Sequence, residues 1–425
     1  MASTRRLRQL RAALGQPAAA DTLAVPGGDT SLTAKTVGVV SHDAARAQPG
    51  YTLFSSGREN FLIDNDGQLV HAWTADRGTN VAYLLPNGDL LRDGSEDTVN
   101  TLFRAGGAAG YVERVDWEGN RVWSFSYQPY DQHLTHHDIE YMPNGNVLLL
   151  AWNRREVSDM VGAGRRPELL PDGQLWVESV IEIQPNGRGG ADIVWEWDLW
   201  DHLVQDYDES KDNYGSVEEN PQLMDVNFVV ANPRGGSRNN SDETPRGQKD
   251  WTHVNAISYN PELDQIMLSY NTMSELNVID HSTTAEEAKG HTGGRCGKGG
   301  DFVYRFGNPA TMRGDLWHSQ TLFNQHNTHW IPDGSNPCYE AVPGAGHVLV
   351  LNNGRVPDRE WTTTDEFALP ETAAEAGGYE RAPAEQAYDL GGFKAAHHVW
   401  SFGAKKDHVN CDTFSICRTF RLANP

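Results

Sequence analysis

Three histidines stand at one position of a repeated hairpin motif. They are His137 in His137-Asp-Ile-Glu-Tyr-Met-Pro143-Asn-Gly, His253 in His253-Val-Asn-Ala-Ile-Ser-Tyr-Asn-Pro261, and His326 in His326-Asn-Thr-His-Trp-Ile-Pro332-Asp-Gly. Proline follows six residues after His137 (143 − 137) and after His326 (332 − 326), and later after His253, whose turn is longer. Asn80 and Cys417 hold the same register in two other copies. Imidazole gains or loses its proton near neutral pH, so convergent histidines permit proton transfer and nucleophilic attack. They equally permit metal coordination. The plainer alternative is that each satisfies a local turn or packs as a partly buried polar group. Recurrence in register weighs against it, because repeat packing alone favours a small or apolar residue.

Other histidines are weaker candidates. His136 adjoins His137 and, on an extended backbone, points to the opposite face. His133, His318 and His329 are candidates for supporting positions. His397 and His398 precede a strand and read as structural, and the many tryptophans read as packing. The chain contains no HExxH, no GxSxG and no zinc-finger spacing, so no metal or cofactor site is assigned from motifs.

The elements that must position these residues are hairpins. One type runs strand, Pro-Asn-Gly or a relative of it, strand, as in Asn80–Leu91 and His137–Leu150. Asn-Gly between β-rich runs predicts a type I′ turn, with both central residues at positive φ. A second type alternates with the first: Phe61 to Trp73 around Asp66-Gly67, Val112 to Trp123 around Glu118-Gly119, and Val180 to Trp197 around Asn186-Gly187. Two hairpins make a four-stranded antiparallel sheet, and such sheets in series make an all-β propeller. A long sandwich is the alternative, but the hairpin types keep one order along the chain. In a propeller the innermost strands line the central channel, so His137, His253 and His326 converge at one mouth.

Residues 1–45 read as a non-core arm and 46–425 as a single propeller domain, with long loops at 201–250 and 340–396. Five units are recognisable, and those two loops are where a sixth could lie. Residues 51–73 lack a first-type hairpin before them, and the C-terminal Cys417–Pro425 reads as the start of one. Both chain ends would then close one blade, which looks truncated.

The chain has 425 residues, and 35 basic minus 58 acidic residues leave a net charge of −23. That field disfavours nucleic acid and anionic membrane as partners. No apolar run is long enough to cross a membrane as a helix. The N-terminus is basic at Arg5, Arg6 and Arg8, but no signal-like apolar segment follows. Four cysteines are too few for a disulfide scaffold; Cys296 with Cys338 and Cys411 with Cys417 are possible pairs.

Several ordered runs resemble the arylsulfate sulfotransferase family: Pro49-Gly-Tyr-Thr-Leu-Phe, Asp64 to Trp73, His136 to Asn146, Asp250 to Asn260, Val278-Ile-Asp-His-Ser-Thr-Thr and Gln325-His-Asn. The resemblance covers residues 36 to 425. It implies a six-bladed β-propeller and sulfuryl transfer from an aryl sulfate to a phenol, without the nucleotide donor of other sulfotransferases. It implies a ping-pong path through a sulfohistidine, with His326 as nucleophile, His137 and His253 as supporting histidines, and His136 and Asn271 near the substrate. No cofactor is implied, and the compartment implied is periplasmic or extracellular. Two departures stand out. The family arginine on the strand after the second histidine motif is matched here by Asn271, which keeps a donor but loses the bidentate cation, a change worth about 2–4 kcal/mol in a transition state. Family members also continue past the position of Pro425. A metal-binding histidine site and a non-catalytic propeller acting as a binding module therefore stay open as alternatives.

Overall fold

The computed structural model describes residues 42–403 except Arg46, Gln48, Asp172, Arg188 and residues 97–98, 231–248, 315–318, 337–340, 356–358, 373–377 and 383–390. It is an all-β propeller. The first sheet has three strands, β1 (Tyr51–Ser56), β2 (Glu59–Asp64) and β3 (Leu69–Thr74). The second has four, β4 (Ala82–Leu84), β5 (Leu90–Ser95), β6 (Gly110–Val115) and β7 (Arg121–Ser126). The third has β8 (His133–Tyr141), β9 (Val147–Glu156), β10 (Gln174–Pro185) and β11 (Ala191–Asp198). A short parallel pair follows, β12 (Leu203–Val204) with β13 (Met224–Asp225). The fourth sheet has β14 (Val254–Asn260), β15 (Gln265–Tyr270), β16 (Glu275–Asp280) and β17 (Phe302–Phe306). The fifth has β18 (His326–Trp330), β19 (Val348–Asn352), β20 (Thr363–Ala368) and, beyond the small β21 (Glu371–Thr372) and β22 (Gly378–Tyr379) pair, β23 (His397–Phe402).

Five blades, not six, are present among the described residues. Among the described residues, the stretches 201–250 and 340–396 hold the pairs β12–β13 and β21–β22 and a few isolated bridges in addition to strands of the fifth sheet. Their polar, turn-rich sequence lacks the apolar alternation that a further blade needs. The first blade shows three strands, and the C-terminal segment expected to add its innermost strand lies outside the described residues, as do Cys338, Cys411 and Cys417.

The hairpin turns also differ from the expected type. Leu85 N donates to Asp89 O at 2.8 Å and Gly88 N to Leu85 O at 2.9 Å. Gly88 has φ 90° and Asn87 is not at positive φ. This is a type I turn followed by a left-handed glycine. Pro86 fixes a negative φ at the first central position, which a type I′ turn forbids. The Met142–Asn146 turn repeats the pattern with Gly145 at φ 90°.

Alternating strand residues fill the seams between blades. Val112 and Trp123 meet Val147 and Leu149 between the second and third sheets. Leu150, Trp195 and Trp197 meet Ile257, Ile266 and Phe302 between the third and fourth. Met267, Val278 and Tyr304 meet Trp330, Val348 and Phe367 between the fourth and fifth. Each fully buried leucine or isoleucine contributes roughly 1.5–3 kcal/mol. The described part of the 201–250 loop is also packed: buried Arg305 pairs with Glu275 at 2.7 Å and donates to Pro221 O and Leu223 O. Removing either charge of that pair would strand the other, at a cost of about 3–5 kcal/mol.

Candidate active site on the inner strands

Each inner strand that carries a motif histidine breaks its pairing at that motif. The β8–β9 register shifts between Thr135 and Ile139, with His137 at φ 56°. The β14–β15 register shifts between Val254 and Ile257, with His253 at φ 49° just before it. The β18–β19 register shifts between His326 and His329, with Asn327 at φ 50°. A left-handed non-glycine residue costs about 1–2 kcal/mol. Bulges turn side chains away from the regular alternation and gather beside active sites. Strain repeated on three adjacent strands marks this end of the channel.

The bulge changes how His136 and His137 relate. On an extended backbone they would face opposite ways; instead their Nδ1 atoms lie 2.9 Å apart, with the rings edge-to-face. One of the two must donate, so their tautomers are coupled. His136 is buried, stacks on Trp152 at 3.9 Å and puts Nε2 2.9 Å from Glu178 Oε2, an ion-pair contact off the hydrogen-bond direction. Glu178 Oε1 accepts from Thr252 Oγ1 at 3.1 Å and from Val254 N at 2.9 Å, which ties the first motif to the second. A carboxylate on Nε2 favours a proton on that atom. Nδ1 of a neutral His136 then accepts from Nδ1–H of His137, which is left with its lone pair on Nε2.

His253 crosses His137 edge-to-face with ring centroids 4.5 Å apart. Its Nδ1 meets Asp250 Oδ2 at 2.5 Å. The carboxylate accepts the Nδ1 proton and leaves Nε2 to exchange protons with a ligand. Gly107 supports the pair: it accepts from His137 N at 2.7 Å, and a Cβ there would lie 2.4 Å from the His137 ring.

Asn271 links His253 to His326. Its backbone N donates to His253 O at 3.2 Å, and its side chain donates to Gln325 O at 3.0 Å. Asn255 donates to that same carbonyl at 2.9 Å. Asn324, itself at φ 49°, donates to Asn271 O at 3.1 Å. The Asn353 amide meets His326 Nδ1 at 2.7 Å. With its nitrogen toward the ring it also reaches Asn324 O at 2.9 Å and Leu351 O at 3.3 Å; the opposite orientation sets oxygen against those carbonyls. The first orientation is therefore the resting one, with Nδ1 of His326 accepting and the ring proton on Nε2.

The structure thus brings His136, His137 and His253 together and joins them to His326 through Asn271. Three partners escaped the sequence reading: Glu178, Asp250 and Asn353. Asp250 had a signal, a carboxylate three residues before His253. Glu178 lies on β10, two strands from His136 in the same sheet, and Asn353 directly follows β19; neither gave one. Among the weaker candidates, His133 stacks on Tyr127 at 3.7 Å, His329 bonds the Asn327 carbonyl, with burial lowering its pKa, and His398 is half-exposed on β23. His318 lies outside the described residues. The motif histidines do not form a three-ligand set; among the described residues that arrangement occurs at His202, His291 and Asp301.

A cavity of about 620 Å³ opens farther along the same inner strands, walled by Tyr83, Leu84, Ile257 and Trp330. Asp138 and Asn327, the residues after His137 and His326, line it, whereas the three histidines do not. Asp138 there accepts from Tyr83 Oη at 2.7 Å and Ile257 N at 3.2 Å.

Comparison with known proteins gives one family. The Arylsulfotransferase (ASST) family model matches residues 36–376. No curated protein matches the chain. Among solved structures it is similar to hydrazine synthase of Kuenenia stuttgartiensis, at 13% identity and TM-score 0.34, over 72% of this chain and 65% of that one. It is similar to the Cps50 (Swd1) β-propeller domain of Myceliophteria thermophila, at 10% identity and TM-score 0.36, over 85% and 75%. It is also similar to the calcium-binding protein regucalcin of Agrobacterium tumefaciens, at 8% identity and TM-score 0.33, over 80% and 71%.

Proposed function

The chain belongs to the arylsulfotransferase family, and on that premise we propose that it moves a sulfuryl group from an aryl sulfate to a phenol through a covalent intermediate on His326. The observation that carries this reading is the coupled set of His136, His137 and His253, each backed by a carboxylate or a second imidazole and joined to His326 by Asn271.

In the first half-reaction Nε2 of His326 attacks sulfur, and the bond from sulfur to the aryl oxygen breaks. Attack needs the lone pair on Nε2, so the ring proton must move to Nδ1. Asn353 can serve both tautomers, donating to Nδ1 at rest and accepting from Nδ1–H once the amide turns over. The departing phenolate takes a proton from Nε2 of His253, whose charge Asp250 stabilises. His137, its Nδ1 proton held by His136, donates from Nε2 to the sulfuryl oxygens when it carries a second proton, as an imidazolium facing the anionic group. In the second half-reaction His253 removes the proton of the incoming phenol. The phenol oxygen attacks sulfur, the N–S bond breaks, and His326 is regenerated.

Asn271 stands where an arginine would be, and its amide is engaged with Gln325 O. The positive charge opposite the sulfuryl group then falls to the imidazoles. The apolar wall of Tyr83, Leu84 and Trp330 suits an aryl ring whose sulfate points back toward His326. A periplasmic or extracellular setting is part of this reading, supported by membership of a family whose members are typically periplasmic or secreted; among the described residues no helix is long and apolar enough to cross a membrane.

The test is a transfer assay with a nitrophenyl sulfate donor and a phenol acceptor. His326→Ala should abolish release of nitrophenol, while His398→Ala on β23 should retain it. Equal loss from both would remove His326 from the role of nucleophile.

A further inference from the structure

A second set of ligand-type side chains lies in the turn and loop beside β11 and β17, the outer strands of the third and fourth sheets. His202 ends the 3-10 turn Leu199–His202 that follows β11. Its ring is fully buried and stacks on Trp197, with centroids 5.5 Å apart and planes at 3°. Asp301 immediately precedes β17, and His291 sits in the glycine-rich loop that leads to it. His202 Nδ1 is 2.9 Å from Asp301 Oδ1, and His291 Nδ1 is 2.7 Å from the same oxygen.

The other nitrogen of His202 decides what this cluster requires. Nε2 lies 2.9 Å from the Ala288 carbonyl, so it must carry a proton. A neutral His202 then aims the Nδ1 lone pair at a carboxylate oxygen, two acceptors in contact inside the protein. The conflict is removed by a second proton on His202 or by a metal ion between the three groups. A ring fixed by donation to a backbone carbonyl, with its free nitrogen beside a carboxylate and a second imidazole, has the inner and outer shells of a zinc ligand set.

We propose that His202, His291 and Asp301 bind a divalent transition-metal ion, zinc for preference, through two Nδ1 atoms and one carboxylate oxygen. Tetrahedral zinc with bonds of about 2.0 Å separates its ligand atoms by about 3.3 Å, so binding opens the present triangle by roughly half an ångström. His291 can provide that movement. Its side chain is 59% exposed, and its loop turns through Gly293, Gly294, Gly297 and Gly299, all at positive φ. His202 and Asp301 are held by the sheet edges. The fourth coordination position would face the cleft of about 710 Å³ that His291 lines together with Asp201, Lys211 and Tyr214, where water or a small anion can enter. Bound there, the ion clasps the 282–301 loop to the turn after β11, beside the Trp197 Nε1 to Gly300 O hydrogen bond of 2.8 Å.

The experiment separates a metal from a proton. The full chain, stripped with chelator, is titrated with zinc by calorimetry and with cobalt by visible absorption, and its melting is followed with and without zinc. One equivalent of zinc, intense tetrahedral cobalt bands and a higher Tm are expected. His291→Ala, at an exposed position, and Asp301→Asn should each weaken binding at least about 100-fold. Retained binding in His291→Ala, its loss instead in His253→Ala, or no saturable uptake by the wild type would each overturn the proposal. In the last case the cluster holds a proton on His202, for which His291 is dispensable.

Discussion

His137 and His253 come from neighbouring blades and cross edge-to-face with ring centroids 4.5 Å apart. Neither ring is placed by chance packing. Each follows from a left-handed backbone residue at a strand bulge and from a partner that fixes its protons. Asp250→Asn would offer His253 a neutral amide in place of a carboxylate. It should lower kcat for aryl sulfate turnover by about 100-fold or more, with KM little changed. Glu178→Gln should act more weakly, through His136. Steady-state kinetics with one donor series decides it; wild-type kcat in Asp250→Asn would mean that His253 exchanges no proton in the reaction.

Gly107→Ala tests placement rather than chemistry. Gly107 has φ +79°, and a methyl there would fall on the His137 ring at 2.4 Å. The ring must move or the backbone must relax, at roughly 1–3 kcal/mol. We expect a lower Tm together with a loss of activity larger than the stability change explains. Full activity at a temperature where the variant is folded would show that the position of His137 does not matter.

The two orientations of the Asn353 amide give opposite tautomers of His326. Asn353→Asp can only accept, so it fixes the proton on Nδ1 and leaves the lone pair on Nε2. Adduct formation on His326 should be at least as fast as in the wild type, while stability falls by about 1–3 kcal/mol because the carboxylate faces the Asn324 and Leu351 carbonyls. Asn353→Leu should slow the adduct step by about 10–100-fold. Equal rates in both variants would remove Asn353 from tautomer control.

His281 supplies a pH test independent of activity. Burial opposes its charge, but hydrogen bonds from its two nitrogens to Asp264 (2.8 Å) and Glu182 (3.1 Å) prevail and push its pKa up to about 9. A histidine raised on folding stabilises the fold fully below its ordinary value of 6.5 and loses that contribution as pH rises through about 9. The shift corresponds to on the order of 3 kcal/mol. Urea unfolding of the wild type and His281→Gln should show a stability gap that shrinks by about this amount between pH 6 and pH 10. A gap unchanged with pH would contradict the charged bridge between the third and fourth sheets.

The propeller was legible because Pro-Asn-Gly and Asp-Gly turns recur between apolar strands, and turn chemistry is local. His137, His253 and His326 were legible for the same reason, as three copies of one register. The number of blades was not, since residues 201–250 and 340–396 are long enough for strands but lack the apolar alternation to build a sheet. The encounter of His136 with His137 was hidden because period-two alternation assumes an extended backbone, and the bulge at His137 breaks it. Glu178 and Asn353 act across strands, and the His202–His291–Asp301 cluster joins residues far apart in sequence; no spacing rule reaches such contacts.

The covalent step on His326 is tested most directly by intact-mass spectrometry of the protein mixed briefly with an aryl sulfate and no acceptor. Nucleophilic catalysis predicts a mass gain of one sulfuryl group with release of one equivalent of phenol, discharged when a phenol acceptor is added and absent in His326→Ala. Turnover of donor and acceptor together without any adduct, or an adduct that persists in His326→Ala, would contradict it.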